Sequence, residues 1–323
     1  MNDLHPGDVV LNGVLKALPG LYTKPRDRAE ALLRAFLKPH IKALQRREDE
    51  STSKYKMRLM AAFKGAKWAI TRHKIAVSFS DVHETVNDNI NDGLITAYMD
   101  GLNESAYAMA LSGITTWPVT LSVMNGLIAA NIITLNTRKL KKRQDIAYNE
   151  ERVQSAVHSA ILQGVKIEDL PDAASKMMAK ARQNEAVSYA RAAIYGASDS
   201  GAYFAGLEAE KMGIEVEKTW LSIMDMRVRP SHKHLHGVTI PLKDDFHGYY
   251  SDLRYPHDPA AYPAEIYRCR CRMAVHVAGK SPGEYSRELL PTQTAAYRTW
   301  RDKQIRKVGG ELELLKLHKK LVR

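Results

Sequence analysis

Cysteine is almost absent from this sequence, which contains only Cys269 and Cys271. A single residue separates the two, so a disulfide between them would close a very small and strained ring. The sequence therefore offers no disulfide framework, and this fits a reducing cytoplasm. Residues 1–7 also lack a basic start followed by an apolar core, so no secretory signal is expected.

Aromatic residues are scarce, at 7% of the chain, whereas the hydrophobic share of 45% and the charged share of 26% are ordinary for globular proteins. This composition excludes wholesale disorder. Because Ala, Leu and Lys are abundant, it also favours helix. The 323 residues suffice for one large domain or two smaller ones.

The sequence lacks a long uninterrupted hydrophobic run. Its most apolar window, residues 118–135, is broken by Asn125, Gly126 and Asn131. We therefore predict a buried helix there, not a membrane span, and expect no membrane partner.

Acidic residues are outnumbered, 36 against 48 Lys and Arg, which gives a net charge of +12. An excess of this size attracts polyanions, because Lys and Arg that reach phosphates release condensed counterions. The densest basic run and the basic C-terminal end supply the candidate contacts with double-stranded DNA, which are Arg138, Lys139, Lys141, Lys142, Arg143, Lys319 and Lys320. The alternative is that these side chains form ordinary solvated helix faces.

Changes in residue composition and spacing divide the chain into four segments and predict an α+β fold. Apolar residues recur every four positions from Val82 to Leu102, as on one face of a helix, whereas Pro and Gly punctuate the chain densely after Gly213. The predicted segments are a basic helical region (1–79), a helical body (80–213), a small α+β domain (214–280) and a basic helical tail (281–323).

The most informative segment lies between Trp220 and Cys271. Single elements in it are common, but their order and spacing together are distinctive. The elements are Trp220, Asp225, Arg227, Arg229, His232, Leu235, Gly237, Pro256, Asp258, Glu265 and the closing Cys269-Arg270-Cys271.

This pattern resembles the C-terminal domain of the phage minor head proteins, the Mu F-like or head-morphogenesis family. The resemblance implies a non-enzymatic protein that enters the head in a few copies beside the portal. Its implied partners are the portal protein, other head proteins and, without sequence specificity, packaged double-stranded DNA. The implied location is the capsid interior near the portal vertex, after assembly in the host cytoplasm. One departure is Gly196-Ala197-Ser198, where many members of the family carry Arg-Thr-Glu.

Asp225, Arg227 and Arg229 alternate along what we predict to be a strand or extended loop, which would place them on one face. A carboxylate beside two guanidinium groups favours a structural ion pair. Contact of the same arginines with phosphate is the alternative.

Cys269 and Cys271 could complete a structural zinc site with His232 and Asp258, because two thiols, an imidazole and a carboxylate are all zinc ligands. Other histidines in the segment supply alternative ligands, namely His234, His236, His247 and His257. Structural zinc usually uses two residues between cysteines, so the competing interpretation is a pair of buried apolar thiols.

Two further functions compete with the structural one. His232 with Arg227 and Arg229 contains the elements of a phosphodiester-cleaving nuclease. However, the sequence shows no paired acidic metal ligands, phosphate-binding glycine loop or serine elbow. The other alternative is a DNA-binding assembly factor that is not retained in the virion.

Overall fold

The computed structural model describes residues 5–135, 142–280 and 294–322 and confirms the predicted α+β class. Its helices are α1 (Asp8–Leu21), α2 (Thr23–Leu37), α3 (Ile41–Leu44), α4 (Thr52–Ala62), α5 (Gly65–Ser80), α6 (Val82–Leu111), α7 (Leu121–Ala129), α8 (Lys142–Leu162), α9 (Leu170–Lys211), α10 (Pro230–Leu235), α11 (Pro263–Ile266), α12 (Ala295–Val308) and α13 (Glu311–Val322). Its strands are β1 (Val216–Leu221), β2 (Thr239–Pro241), β3 (Phe246–His247), β4 (Asp252–Leu253) and β5 (Arg272–Val277).

The chain forms two compact units, each built from segments that are distant in sequence. The first unit comprises Met1–Val14, Ile90–Thr137 and Ser188–Arg323, and the second comprises Leu15–Asn89 and Arg138–Val187. The boundaries between them fall within α1, α6 and α9 and next to α8.

The second unit is entirely helical, with α5 packed against α2 and α8. Its core contains an aromatic cluster in which the rings of Phe36, Phe63 and Trp68 have centroids about 5 Å apart. The Trp68 indole also donates a hydrogen bond to Gln154 on α8. Helix α2 ends at Leu37, two residues before Pro39, because proline has no backbone N–H to continue the helical hydrogen bonds.

The first unit contains an antiparallel sheet in the order β2-β1-β5. In the central strand β1, Thr219 lies opposite Thr239 of β2 on one side and Ala274 of β5 on the other. Strands β3 and β4 form a separate two-stranded ribbon. Trp220 in β1 is fully buried and anchors the core between the sheet and this ribbon, where its ring contacts Phe246 edge-on.

Lys218 in β1 is buried without a carboxylate partner among the described residues. Its ammonium group donates to the carbonyl oxygen of Arg254 at 2.6 Å and lies 5.1 Å from the ring centroids of both Tyr203 and Phe246. These contacts offset part of the cost of burying a charge. Burial nevertheless lowers the pKa of Lys218 to about 8.

Within the first unit, α6 and α9 approach each other through two glycines. A Cβ atom on Gly101 would lie 1.9 Å from the carbonyl oxygen of Ser198, and one on Gly201 would lie 2.0 Å from that of Tyr98. No real side chain fits at such distances, so glycine at both positions permits the contact between the two backbones.

The predicted buried helix of residues 118–135 corresponds to α7, whose Val123, Met124 and Leu127 are buried. Helix α13 of the tail packs against α7, and His318 of α13 pairs with the Glu208 carboxylate. Burial alone would lower the pKa of His318, but Glu208 raises it above the ordinary value. Among the described helices, none is both long and apolar enough to cross a membrane.

Candidate metal centre

Three short segments bring the candidate ligands of the first unit together. His232 lies in α10, a helix that begins at Pro230, where a missing backbone N–H is tolerated. Cys269 follows α11, and Cys271 immediately precedes β5. Arg268 adopts a left-handed backbone conformation, with φ of 63°, and this turn directs the chain into the Cys-Arg-Cys segment.

His232, Cys269 and Cys271 form a buried group. The Nδ1 atom of His232 lies 3.3 Å from the Cys269 sulfur and 3.4 Å from the Cys271 sulfur. His232 is 1% exposed and each cysteine 3%. The structure thus unites three of the four predicted ligands, and their ligand atoms lie within 4.8 Å of one another.

The second ring nitrogen of His232 binds Glu265. The Nε2 atom of His232 lies 2.8 Å from the Glu265 carboxylate, whose other oxygen accepts the backbone N–H groups of Tyr249 and Tyr250 at 2.8 and 3.0 Å. Burial raises the pKa of Glu265, but the Tyr250 amide and His232 together hold it below its ordinary value. An ionised Glu265 makes Nε2 the donor and leaves the Nδ1 lone pair facing the two sulfurs.

Hydrogen bonds also order the sulfur side of the group. The Trp220 indole donates to the Ser222 hydroxyl at 3.1 Å, and that hydroxyl lies 3.3 Å from the Cys271 sulfur. A hydrogen bond from Cys269, together with His232 and Ser222, lowers the pKa of Cys271 well below its ordinary value, whereas burial raises the pKa of Cys269.

The donor set fits a zinc ion. A tetrahedral zinc with its usual Zn–S and Zn–N bond lengths separates sulfur from nitrogen by roughly 3.6 Å, close to the observed 3.3 and 3.4 Å. In metal sites, a ligating histidine commonly donates its other ring N–H to a carboxylate, as His232 does here to Glu265. The group can therefore hold a metal ion through three protein ligands.

The structure places Asp258, the fourth predicted ligand, outside this group. Its carboxylate accepts hydrogen bonds from the Arg254 side chain at 2.7 and 2.8 Å and from the Ala260 amide at 2.9 Å. Burial raises the pKa of Asp258, but Arg254 lowers it to below the ordinary value. Asp258 thus orders the turn around Pro256, because its side chain closes onto nearby backbone groups.

The histidines considered as alternative ligands do not join this group either. His234 is exposed, and His236 accepts the Ser222 backbone N–H on its Nδ1 atom. His247 forms an exposed pair with Asp252 at 2.8 Å. Gly237, which follows α10, has φ of 80° and donates its N–H to the Trp220 carbonyl oxygen, so glycine there sets the turn into β2.

We predicted an extended segment in which Asp225 pairs with Arg227 or Arg229. Both the partner and the backbone conformation are wrong. Residues 225–228 form a turn, in which Asp225 accepts the Arg227 backbone N–H at 2.9 Å. The carboxylate binds Arg270 at 2.6 and 2.8 Å, and this hydrogen bonding lowers the pKa of Asp225 to about 2. Arg229 instead donates to the carbonyl oxygens of Ala264 and Tyr267, which fixes α11 against the start of α10.

A second buried polar group was not predicted from the sequence. The Asp199 carboxylate lies 3.1 Å from Nδ1 of His257 and 3.6 Å from Nε2 of His5. His5 accepts the Gly7 N–H on Nδ1, so its proton resides on Nε2 and faces Asp199. A metal would need that nitrogen unprotonated, so we interpret this group as a buried cluster in which Asp199 is hydrogen-bonded to His257 and lies close to His5. His257 has an unusual left-handed backbone conformation, with φ of 63°. The sequence gives no signal for this conformation.

Gly196, where the sequence departs from the family pattern, lies against the His257 loop of this cluster. A Cβ atom on Gly196 would lie 2.9 Å from the His257 carbonyl oxygen, so a larger residue would displace the loop. Asp199, three residues further along α9 and so on the same helix face as Gly196, is buried.

The candidate DNA contacts are only partly covered by the described residues. Arg138, Lys139 and Lys141 lie outside the described residues, and Lys142 and Arg143 fall in the first turn of α8. At the C-terminal end of α13, Lys319 is half-buried and Lys320 is exposed.

Comparison with known proteins identifies the segment that contains the metal-binding group. Residues 151–274 match the family described as Phage Mu protein F like protein, and the match includes His232, Glu265, Cys269 and Cys271. This segment is therefore similar to the phage Mu F-like family, as the sequence pattern predicted. Neither the curated proteins nor the solved structures gave a match.

Proposed function

We propose that this protein is a non-enzymatic minor capsid protein of a tailed bacteriophage, which acts in head assembly or DNA ejection beside the portal. The observation that carries the proposal is the family match over residues 151–274, because it contains the whole ordered constellation from Trp220 to Cys271. The partners are other head proteins, the portal protein and packaged DNA.

The environment of His232 supports a structural role over a nuclease. A general base must reach the proton that it abstracts. His232 is 1% exposed, with Glu265 on one ring nitrogen and two sulfurs facing the other. Cleavage of DNA or RNA by the purified chain in a panel of divalent ions, lost in His232→Ala, would favour the nuclease instead.

The proposed contact with DNA depends on charge. A chain of net charge +12 binds DNA through phosphates, so its affinity should fall steeply with salt and depend little on DNA sequence. Replacement of the exposed Lys320 by Gln should weaken binding slightly and uniformly across DNA sequences, and reduce the salt dependence by about one released counterion.

We assign a zinc ion to His232, Cys269 and Cys271. Zinc would join α10 to the segment before β5, in a domain whose strands are short and whose loops are long. Metal analysis of the purified chain should give one zinc per chain, and Cys269→Ser/Cys271→Ser should abolish it. His247→Ala, which removes an exposed histidine paired with Asp252, should retain the zinc.

Location in the virion is tested by quantitative mass spectrometry of nuclease-treated particles of the encoding phage. A reproducible low copy number relative to the portal protein is the expected result. Absence from mature particles, despite good expression during infection, would contradict a virion protein and favour an assembly factor that leaves the head.

A further inference from the structure

A small cavity adjoins the metal-binding group and is lined by four arginines. Arg227, Arg229, Arg268 and Arg270 surround it together with His232 and Cys271. Its volume is about 20 Å³, and a space of about 10–15 Å³ holds one water oxygen. The cavity therefore accepts a single oxygen atom beside two of the three metal ligands.

The charge around this cavity is unbalanced. Asp225 neutralises Arg270, and Arg229 is committed to two backbone carbonyl oxygens. Arg227 and Arg268 are exposed, and their guanidinium groups make no hydrogen bond or ion pair with the other described residues. A zinc ion with two thiolates is neutral overall, so these two arginines leave a net positive charge at the mouth of the cavity.

The coordination chemistry leaves one position open. Zinc bound by three protein ligands keeps its fourth tetrahedral position for water or another oxygen ligand. His232 and Cys271 line both the metal-binding group and the cavity, so a metal held by them would lie next to the cavity. Guanidinium groups recognise phosphate oxygens through charge-assisted hydrogen bonds.

We infer that the cavity is a phosphate site, in which one phosphate oxygen takes the fourth position on the metal and the other oxygens meet Arg227 and Arg268. The inference rests on the metal assigned under the proposed function. The phosphate belongs either to free inorganic phosphate or to the backbone of a nucleic acid. The size of the cavity admits one oxygen and excludes a base or sugar, so recognition is independent of nucleotide sequence.

The test uses the full chain loaded with Co²⁺ in place of zinc. Cobalt bound to thiolates gives a sulfur-to-metal charge-transfer band, which reports the metal itself. Its visible d–d bands report the fourth ligand. Inorganic phosphate and short duplex DNA are titrated separately in a buffer free of phosphate. Both should shift the d–d bands saturably if backbone phosphates reach the cavity, and inorganic phosphate alone should do so if only free phosphate fits.

The matched variants separate the cavity from the metal. Arg227→Gln/Arg268→Asn should weaken the phosphate response by about tenfold or more, the equivalent of one charge-assisted hydrogen bond, and leave the charge-transfer band intact. Asn is chosen at position 268 because it tolerates the left-handed backbone there. Lys233→Gln removes an exposed charge from α10 outside the cavity and should change nothing.

The outcomes distinguish the two proposals. A missing charge-transfer band would overturn the metal assignment, and the phosphate site with it. A normal charge-transfer band with d–d bands that ignore both phosphate and DNA would overturn the phosphate site alone. An equal loss of response in Lys233→Gln would also overturn it, since general surface charge would then explain the effect.

Discussion

The indole ring of Trp220 meets the imidazole ring of His232 edge-on, with centroids 5.1 Å apart and planes inclined by 77°. The same indole donates its N–H to Ser222, which lies beside the Cys271 sulfur. Trp220 thus connects the core of the sheet to the candidate metal centre, and its fluorescence should respond to whatever binds there.

We expect Co²⁺ to quench part of the tryptophan fluorescence of the metal-free chain, because an open-shell ion on Nδ1 of His232 would lie close to the Trp220 ring. In Trp220→Phe this quenching should disappear, while cobalt still binds. Trp300→Phe, a half-buried tryptophan of α12, serves as the control. Unchanged quenching in Trp220→Phe would place the bound cobalt elsewhere.

Glu265→Gln should lower the zinc affinity about 10- to 100-fold, the range found when the hydrogen-bond partners of ligating histidines are removed. The carboxylate fixes the proton of His232 on Nε2, and a neutral amide holds it there less firmly. Competition with a chelator measures the change. Asp252→Asn alters the exposed carboxylate beside His247 and should leave the affinity unchanged; a comparable loss there would argue against a specific role of Glu265.

Gly101→Ala should destabilise the protein by about 1–3 kcal/mol or more, because its Cβ would overlap the backbone of Ser198. Gly13→Ala provides the matched control, since that helical glycine of α1 has open space around its Cβ position. Alanine there should stabilise by up to about 1 kcal/mol through its higher helix propensity. Chemical unfolding followed by circular dichroism compares the two, and equal effects would refute the close approach of α6 and α9.

These helices show how far the sequence predicts the fold. The four-residue spacing from Val82 to Leu102 correctly predicts α6. Gly101 lies inside that pattern with no sign of its role, because the Cβ clash depends on a helix a hundred residues away in sequence. For the same reason the two compact units, assembled from distant segments, have no signature in local composition.

The site was predictable to a similar degree. The spacing of Cys269 and Cys271 and the nearby His232 predicted a common location, which the structure confirms. The roles of Asp258, Asp225 and Arg229 were not predictable, because each is decided by which backbone or side chain folds against it. Glu265 belongs to the family pattern, but its contact with His232 depends on how α11 packs against α10, which the sequence does not show.

Glu104 in α6 makes stability depend on pH. It is 3% exposed, and burial raises its pKa to about 7, with Asp100 and Asp199 adding to the shift and Arg272 opposing it. The folded state therefore retains a proton that the unfolded state releases near pH 4.5. This contribution to stability is full below pH 4.5 and is lost as the pH rises to 7.

Glu104→Gln should abolish that loss. The shift corresponds to about 3 kcal/mol across the interval from pH 4.5 to 7, so the variant should be more stable than the natural chain at pH 7.5 by up to this amount. Urea unfolding at several pH values measures the difference. If the two proteins lose stability in parallel over this interval, another group carries the pH dependence.

The ligands His232 and Cys269 are 37 residues apart, and the chain between them contains β2, β3, β4 and α11 but little other regular structure. An ion that joins its two ends would act as a removable staple, which closes a long loop and reduces the number of conformations open to the unfolded chain. Unlike a disulfide, such a staple forms in a reducing compartment and opens when metal is withdrawn or the ligands are protonated. Withdrawal of the metal would then leave the chain between His232 and Cys269 free to sample many more conformations.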